Sequence, residues 1–171
     1  MSSAVAAFRE LVASVPEWQD AVGATGTPAE KKAAAKARII TGISGTFDSA
    51  NVTRPFLIVM PAEENNPAIA RGSVTLHSFS GSIPFRFVFG EPQPEDPEED
   101  PPLTNADQFE AMETTRAALK FGILAKSGSY TTTENLMEIS ELTMDSPTAP
   151  ALHEEDRDFY LDGIARFEAG R

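Results

Sequence analysis

The sequence predicts a single α+β domain: an antiparallel or mixed sheet of about five strands, with N-terminal helices and one long helix packed on one face. Three observations carry this expectation. Apolar residues recur at helical spacing through the first forty positions and again after residue 104, whereas a two-residue alternation governs the middle and the end of the chain. The 171 residues, 41% of them hydrophobic, suffice to build one core.

In the N-terminal helical region, 1–40, Val5, Phe8, Leu11, Val12 and Val15 mark one buried helical stripe. Pro16 ends that helix or starts a second turn carrying Trp18 and Val22, and Gly23-Ala24-Thr25-Gly26 is a loop by composition. Thr27-Pro28-Ala29-Glu30 has the form of a helix start: Thr27 as N-cap, Pro28 in the first helical position, Glu30 closing a capping box. The Lys- and Ala-rich segment behind it reads as a short, mostly exposed helix, because it has little to bury before Ile39 and Ile40.

Residues 42–51 are small and polar, a connection, and the apolar run from Arg54 to Pro61 is a strand by length and β-branching. Glu63-Glu64-Asn65-Asn66-Pro67 reads as a turn or loop. Ser73–Phe79 and Ile83–Phe89, joined by Ser80-Gly81-Ser82, are expected to form a hairpin, with Ile83, Phe85, Phe87 and Phe89 on its core face. Pro84 lacks a donor and suggests an edge or strand-start position.

The stretch 91–102 holds six acidic residues and five prolines and has no hydrophobic side chain to pack, so it reads as an extended acidic arm. Thr104 with Asp107 then caps a long helix in which Phe109, Met112, Leu119 and Ile123 recur, ending near Gly128. Two strands close the chain. Leu136–Thr143 presents Met137 and Ile139 on one face, Asp158–Ala169 presents Phe159, Leu161, Ala165 and Phe167, and an acidic loop from Asp145 to Asp156 joins them.

A net charge of −12 argues against adhesive binding to nucleic acid or to an anionic membrane, although DNA could pass along an acidic lumen. The absence of cysteine removes disulfides, thiolate catalysis and thiolate–zinc sites. No segment offers the roughly 20 apolar residues of a membrane span, and the first residues lack the basic start and apolar run of a secretory signal.

Chemistry-bearing clusters are sparse. His153, Glu154, Glu155, Asp156 and Asp158 could group around a hard cation, but the segment lacks the glycine and alternating oxygens of a calcium loop and reads as a solvated acidic loop. His77 stands without an identifiable nucleophile or orienting partner. Ser80-Gly81-Ser82 and Gly42-Ile43-Ser44-Gly45 lack the lysine and the strand-to-helix setting of a phosphate cradle. No catalytic, cofactor-binding or metal-binding residues are therefore expected. The residues singled out for subunit or partner contact are Glu91, Glu95, Asp96, Glu98, Glu99 and Asp100 of the arm, with Arg54 and Arg86.

Ala6-Ala7-Phe8-Arg9-Glu10-Leu11-Val12-Ala13-Ser14, followed by Trp18, Ala37-Arg38-Ile39 and the Arg54-Pro55-Phe56 strand, resembles the start of neck and tail-completion proteins of tailed bacteriophages. The closing segment from Asp156 to Glu168 is similar to the last strand of tail-terminator proteins in that group. The resemblance implies a noncatalytic subunit that forms a homo-oligomeric, hexameric ring at the head–tail junction of the virion. Such a ring caps the tail tube, docks the head connector and assembles in the host bacterial cytoplasm. The alternatives are another phage structural role, as a head-completion, connector or tail-tube subunit, or a divalent-metal-binding module on the His153 segment.

Overall fold

A computed structural model describes residues 3–42, 52–65, 78–96, 98, 100–128, 136–144 and 158–170. The element order is α1 (Ser3–Ala13), α2 (Pro16–Ala21), α3 (Pro28–Ala37), β1 (Ile39–Thr41), β2 (Phe56–Val59), β3 (Glu63–Asn65), β4 (Ser78–Phe89), α4 (Asn105–Ser127), β5 (Leu136–Met144) and β6 (Phe159–Gly170). The chain is α+β. The six described strands form one mixed sheet in the order β1-β2-β4-β6-β5, with β3 also on β4.

The helices begin where their caps place them. Glu30 donates its N–H to the Thr27 hydroxyl, and Thr27 returns its own N–H to the Glu30 carboxylate at 2.8 Å. Thr104 and Asp107 repeat that box at the head of α4, so two otherwise unsatisfied donors are met at each start. Val5, Phe8, Leu11 and Val12 of α1 are buried as their spacing requires. Trp18 of α2 is fully buried and donates its indole N–H to the Ala35 carbonyl at 3.2 Å, which ties α2 to α3.

One face of the sheet meets these helices. Phe85 packs 5.4 Å from Phe8 and Phe87 packs 5.2 Å from Trp18, ring centre to ring centre. Leu57, Val59, Leu161, Ala165, Phe167, Met137 and Ile139 extend the same core, and α4 adds Leu119 and Ile123. Each of these side chains larger than alanine contributes about 1.5–3 kcal/mol relative to exposure. Gly163 lies opposite Phe85 across β4 and β6, and a Cβ there would stand 2.3 Å from the Phe85 ring. Only glycine lets that ring lie over β6.

Four expectations are corrected. Ser80-Gly81-Ser82 is no hairpin turn: it lies inside β4, twelve residues long and paired with β6 along its whole length. Gly81 is needed there for close approach, since a Cβ would sit 2.1 Å from the Glu63 carbonyl oxygen of β3. The second correction is β3 itself, which forms a strand where a turn or loop is expected.

Third, Pro84 occupies a central strand. Residues 60–62 stand opposite only 83–84, so β2 and β3 line one edge of β4 in series with a break between them. The Pro84 carbonyl accepts the Met60 N–H at 3.0 Å, and the missing proline donor faces that break, where no ladder bond is lost.

Fourth, Phe109, expected in the core, is 45% exposed. The buried line of α4 runs through Gln108, Met112, Leu119 and Ile123, and Phe109 sits about 100° round from Gln108.

A bulge between Ile139 and Glu141 shifts the phase of β5. Met137 and Ile139 before it and Leu142 and Met144 after it are consequently all buried, although odd and even positions alternate faces in a regular strand.

Candidate interaction surface

The arm that follows β4 is tied at its root. Gln108 of α4 donates its side-chain amide to the Glu91 carboxylate at 2.8 Å, and Pro92 covers an apolar cleft of about 170 Å³ between Phe89, Met112, Thr115 and Phe159. Beyond it, Asp100 donates its N–H to the Asp96 carbonyl at 2.8 Å, and Glu98 donates its N–H to the Asp96 carboxylate. The arm is thus a turn closed on itself, with Glu95, Asp96, Glu98 and Asp100 exposed. Glu99 lies outside the described residues.

Arg54 and Arg86 are engaged within the chain. The Arg54 guanidinium grips Asp158, Nε donating at 2.8 Å and Nη2 at 2.5 Å, while Nη1 donates to the Val52 carbonyl. Asp158 is 1% exposed, so this cation compensates a charge that would otherwise be stranded from water. Arg86 makes a two-pronged pair with Asp162 at 2.5 and 2.7 Å on the sheet face away from the helices, and its guanidinium lies 4.9 Å from the Tyr160 ring centre. The hydrogen bond to Asp162 holds the Arg86 pKa above its usual value, against the opposing pull of burial. Each arginine is thus paired within the chain to a carboxylate in β6 or just before it.

The outer edges of β1 and β5 are each capped by a side chain from a helix. The Arg38 carbonyl and the Gly42 N–H bond to β2, so by alternation Ile39 turns its carbonyl to the open side of β1. Arg9 of α1 donates to that carbonyl at 3.0 Å. At the other edge Ser127, at the end of α4, accepts the Ile139 N–H at 2.7 Å and donates to the Ile139 carbonyl at 3.2 Å. Together with the adjacent bulge, this blunts the strand edge as a template for another chain.

The faces are less guarded. On α4, Phe121 is 73% and Leu124 40% exposed, with Ala117 and Ala125 exposed beside them. These positions share one helical stripe on the side opposite Leu119 and Ile123. Between Thr114 and Gly128 the chain carries three cations, Arg116, Lys120 and Lys126, and no carboxylate. Of these, Lys120 adjoins the stripe, whereas Arg116 is paired with Glu113 at 2.5 Å and Lys126 falls on another side of the helix. Sequence reasoning missed the stripe because Met112, Leu119 and Ile123 already accounted for one face of the helix. Laying out Ala117, Phe121, Leu124 and Ala125 at helical angles would have shown a second apolar face.

Among the described residues no three His, Cys, Asp or Glu side chains group closely enough to hold a metal ion. His77 and the segment His153–Arg157 lie outside them, and Asp158 is taken by Arg54. No described helix is long and apolar enough to cross a membrane. Comparison with protein-family models gives no match, and no curated protein matches the chain.

Proposed function

We propose that this chain is a structural subunit that works by assembly, and specifically a subunit of the tailed-phage head–tail junction of the tail-terminator kind. In that role copies of the chain form a ring in the virion that caps the tail tube and docks the head connector. Any contact with DNA is passage along an acidic wall, with no specific binding. The observation that carries the reading is the exposed Phe121–Leu124 stripe on an ordered helix. Leaving two large apolar side chains in water forgoes about 1.5–3 kcal/mol each, which burial against a partner recovers. The capped outer edges of β1 and β5 support the same reading, because at those two strands they direct association away from strand pairing and toward faces. The phage position rests on the sequence resemblance of the N-terminal helices and of the last strand.

The test is to mix the purified chain with polymerising tail-tube subunits encoded beside it and to follow tube length by electron microscopy. Capped tubes of arrested length are expected. Tubes that grow unchanged, with no density at their ends, would refute the junction role.

A further inference from the structure

The acidic arm and the α4 stripe are complementary in chemistry and lie toward opposite ends of α4. The arm offers carboxylates at Glu95, Asp96, Glu98 and Asp100 between prolines, and the stripe offers Phe121 and Leu124 beside Lys120. Proline rings pack on aromatic faces while carboxylates pair with ammonium groups, so the two surfaces suit one another.

The described bonds hold the arm toward the end of α4 remote from the stripe. Thr104 is fixed as the N-cap of α4, and Asp100, four residues before it, extends at most about 14 Å from that point. Phe121 stands about 25 Å along the helix from Thr104. The Asp96–Asp100 turn shortens the arm further, and the Gln108–Glu91 bond holds its other end near the same end of α4.

We propose that the arm of one copy seats on the Phe121–Leu124 stripe of the next, a head-to-tail contact between two different surfaces of the same chain. Repeated copy to copy, such a contact closes into a ring when the rotation allows it. This deepens the assembly reading and rests on it. Because like-charged copies at −12 repel, the contact sets the acidic arm against a surface that carries Lys120.

Sedimentation velocity on the full chain tests the contact with two variants at exposed positions. Phe121→Ser with Leu124→Ser breaks the stripe, and Glu95→Lys with Glu98→Lys breaks the arm. Each is expected to weaken self-association at least about tenfold without changing the melting temperature. Mixed in equal amounts, the two variants should form a one-to-one pair and nothing larger, since one intact arm and one intact stripe remain. Raising the salt concentration should weaken the wild-type assembly. If the wild type associates and the arm variant associates equally well, the arm is not the occupant and this contact is overturned while assembly stands. A wild type that stays monomeric in every condition, with tail tubes present or absent, overturns the contact and the assembly reading together.

Discussion

The Ser127 hydroxyl holds both backbone groups of Ile139 at the open edge of β5, accepting its N–H at 2.7 Å and donating to its carbonyl at 3.2 Å. One side chain at the end of a helix thereby closes the middle of an edge strand, beside a bulge that already interrupts it. Ser127 is 4% exposed, so water cannot replace it without rearrangement.

Replacing Ser127 with Ala leaves a buried N–H and a buried carbonyl without their partner. A loss of about 1–3 kcal/mol is expected in urea denaturation. Because the edge is also reopened, light scattering on prolonged incubation should rise faster for the variant than for the wild type. Equal stability would show that the hydroxyl is dispensable to the edge.

Arg54→Met strands the Asp158 carboxylate in a buried position and should cost about 3–5 kcal/mol. Adding Asp158→Leu removes the stranded charge, so the double variant should recover most of that loss. A double-mutant cycle by chemical denaturation measures it. Additive losses would contradict the pairing seen at 2.5 and 2.8 Å.

Two glycines separate packing from backbone freedom. Gly163→Ala drives a methyl group into the Phe85 ring and to 2.7 Å from the Thr143 carbonyl oxygen, and should cost about 1–3 kcal/mol by overpacking. Gly128→Ala meets nothing within 4 Å and has right-handed helical backbone angles, so it should be neutral or stabilise by up to about 1 kcal/mol. Thermal melts of the two variants should therefore shift in opposite directions or by clearly unequal amounts.

Acid should destabilise the chain from the carboxylate side. Burial raises the Glu10 pKa, but hydrogen bonds from Lys36 and Lys32 outweigh it and leave the group below its ordinary 4.5. Asp107 is held below 3.8 by the Thr104 hydroxyl and N–H, and Glu30 below 4.5 by the Thr27 N–H and hydroxyl. A folded-state pKa below the unfolded value gives stability that is fully present above the unfolded value and is lost as pH falls through the folded one. Melting temperature should thus be flat from neutrality to about pH 5 and fall below about 4.5, with a shallower fall for Glu10→Gln. A melting temperature that holds down to pH 3 would contradict these assignments.

How much of this was legible in sequence depended on the range of the interaction. Both threonine capping boxes, the α1 stripe and the alternation of β6 are set by residues a few positions apart, and the structure bears them out. Ser80-Gly81-Ser82 misled because a glycine between two serines has the composition of a turn. Its actual requirement is a carbonyl from β3, seventeen or more residues earlier in the chain. The bulge in β5, the Ser127 plug and the Arg9 contact to Ile39 likewise depend on neighbours that spacing along one strand cannot reveal. The candidate arginines were noticed for their charge, yet their partners Asp158 and Asp162 come from β6 and the residue preceding it, far along the sequence.

Native mass spectrometry of the full chain, alone and with tail-tube subunits, tests most directly whether copies of this protein are built to meet one another. A closed assembly of one stoichiometry is expected, dissociating when the Phe121–Leu124 stripe is made polar. A single-copy mass under all conditions, unchanged by that substitution, would contradict the account.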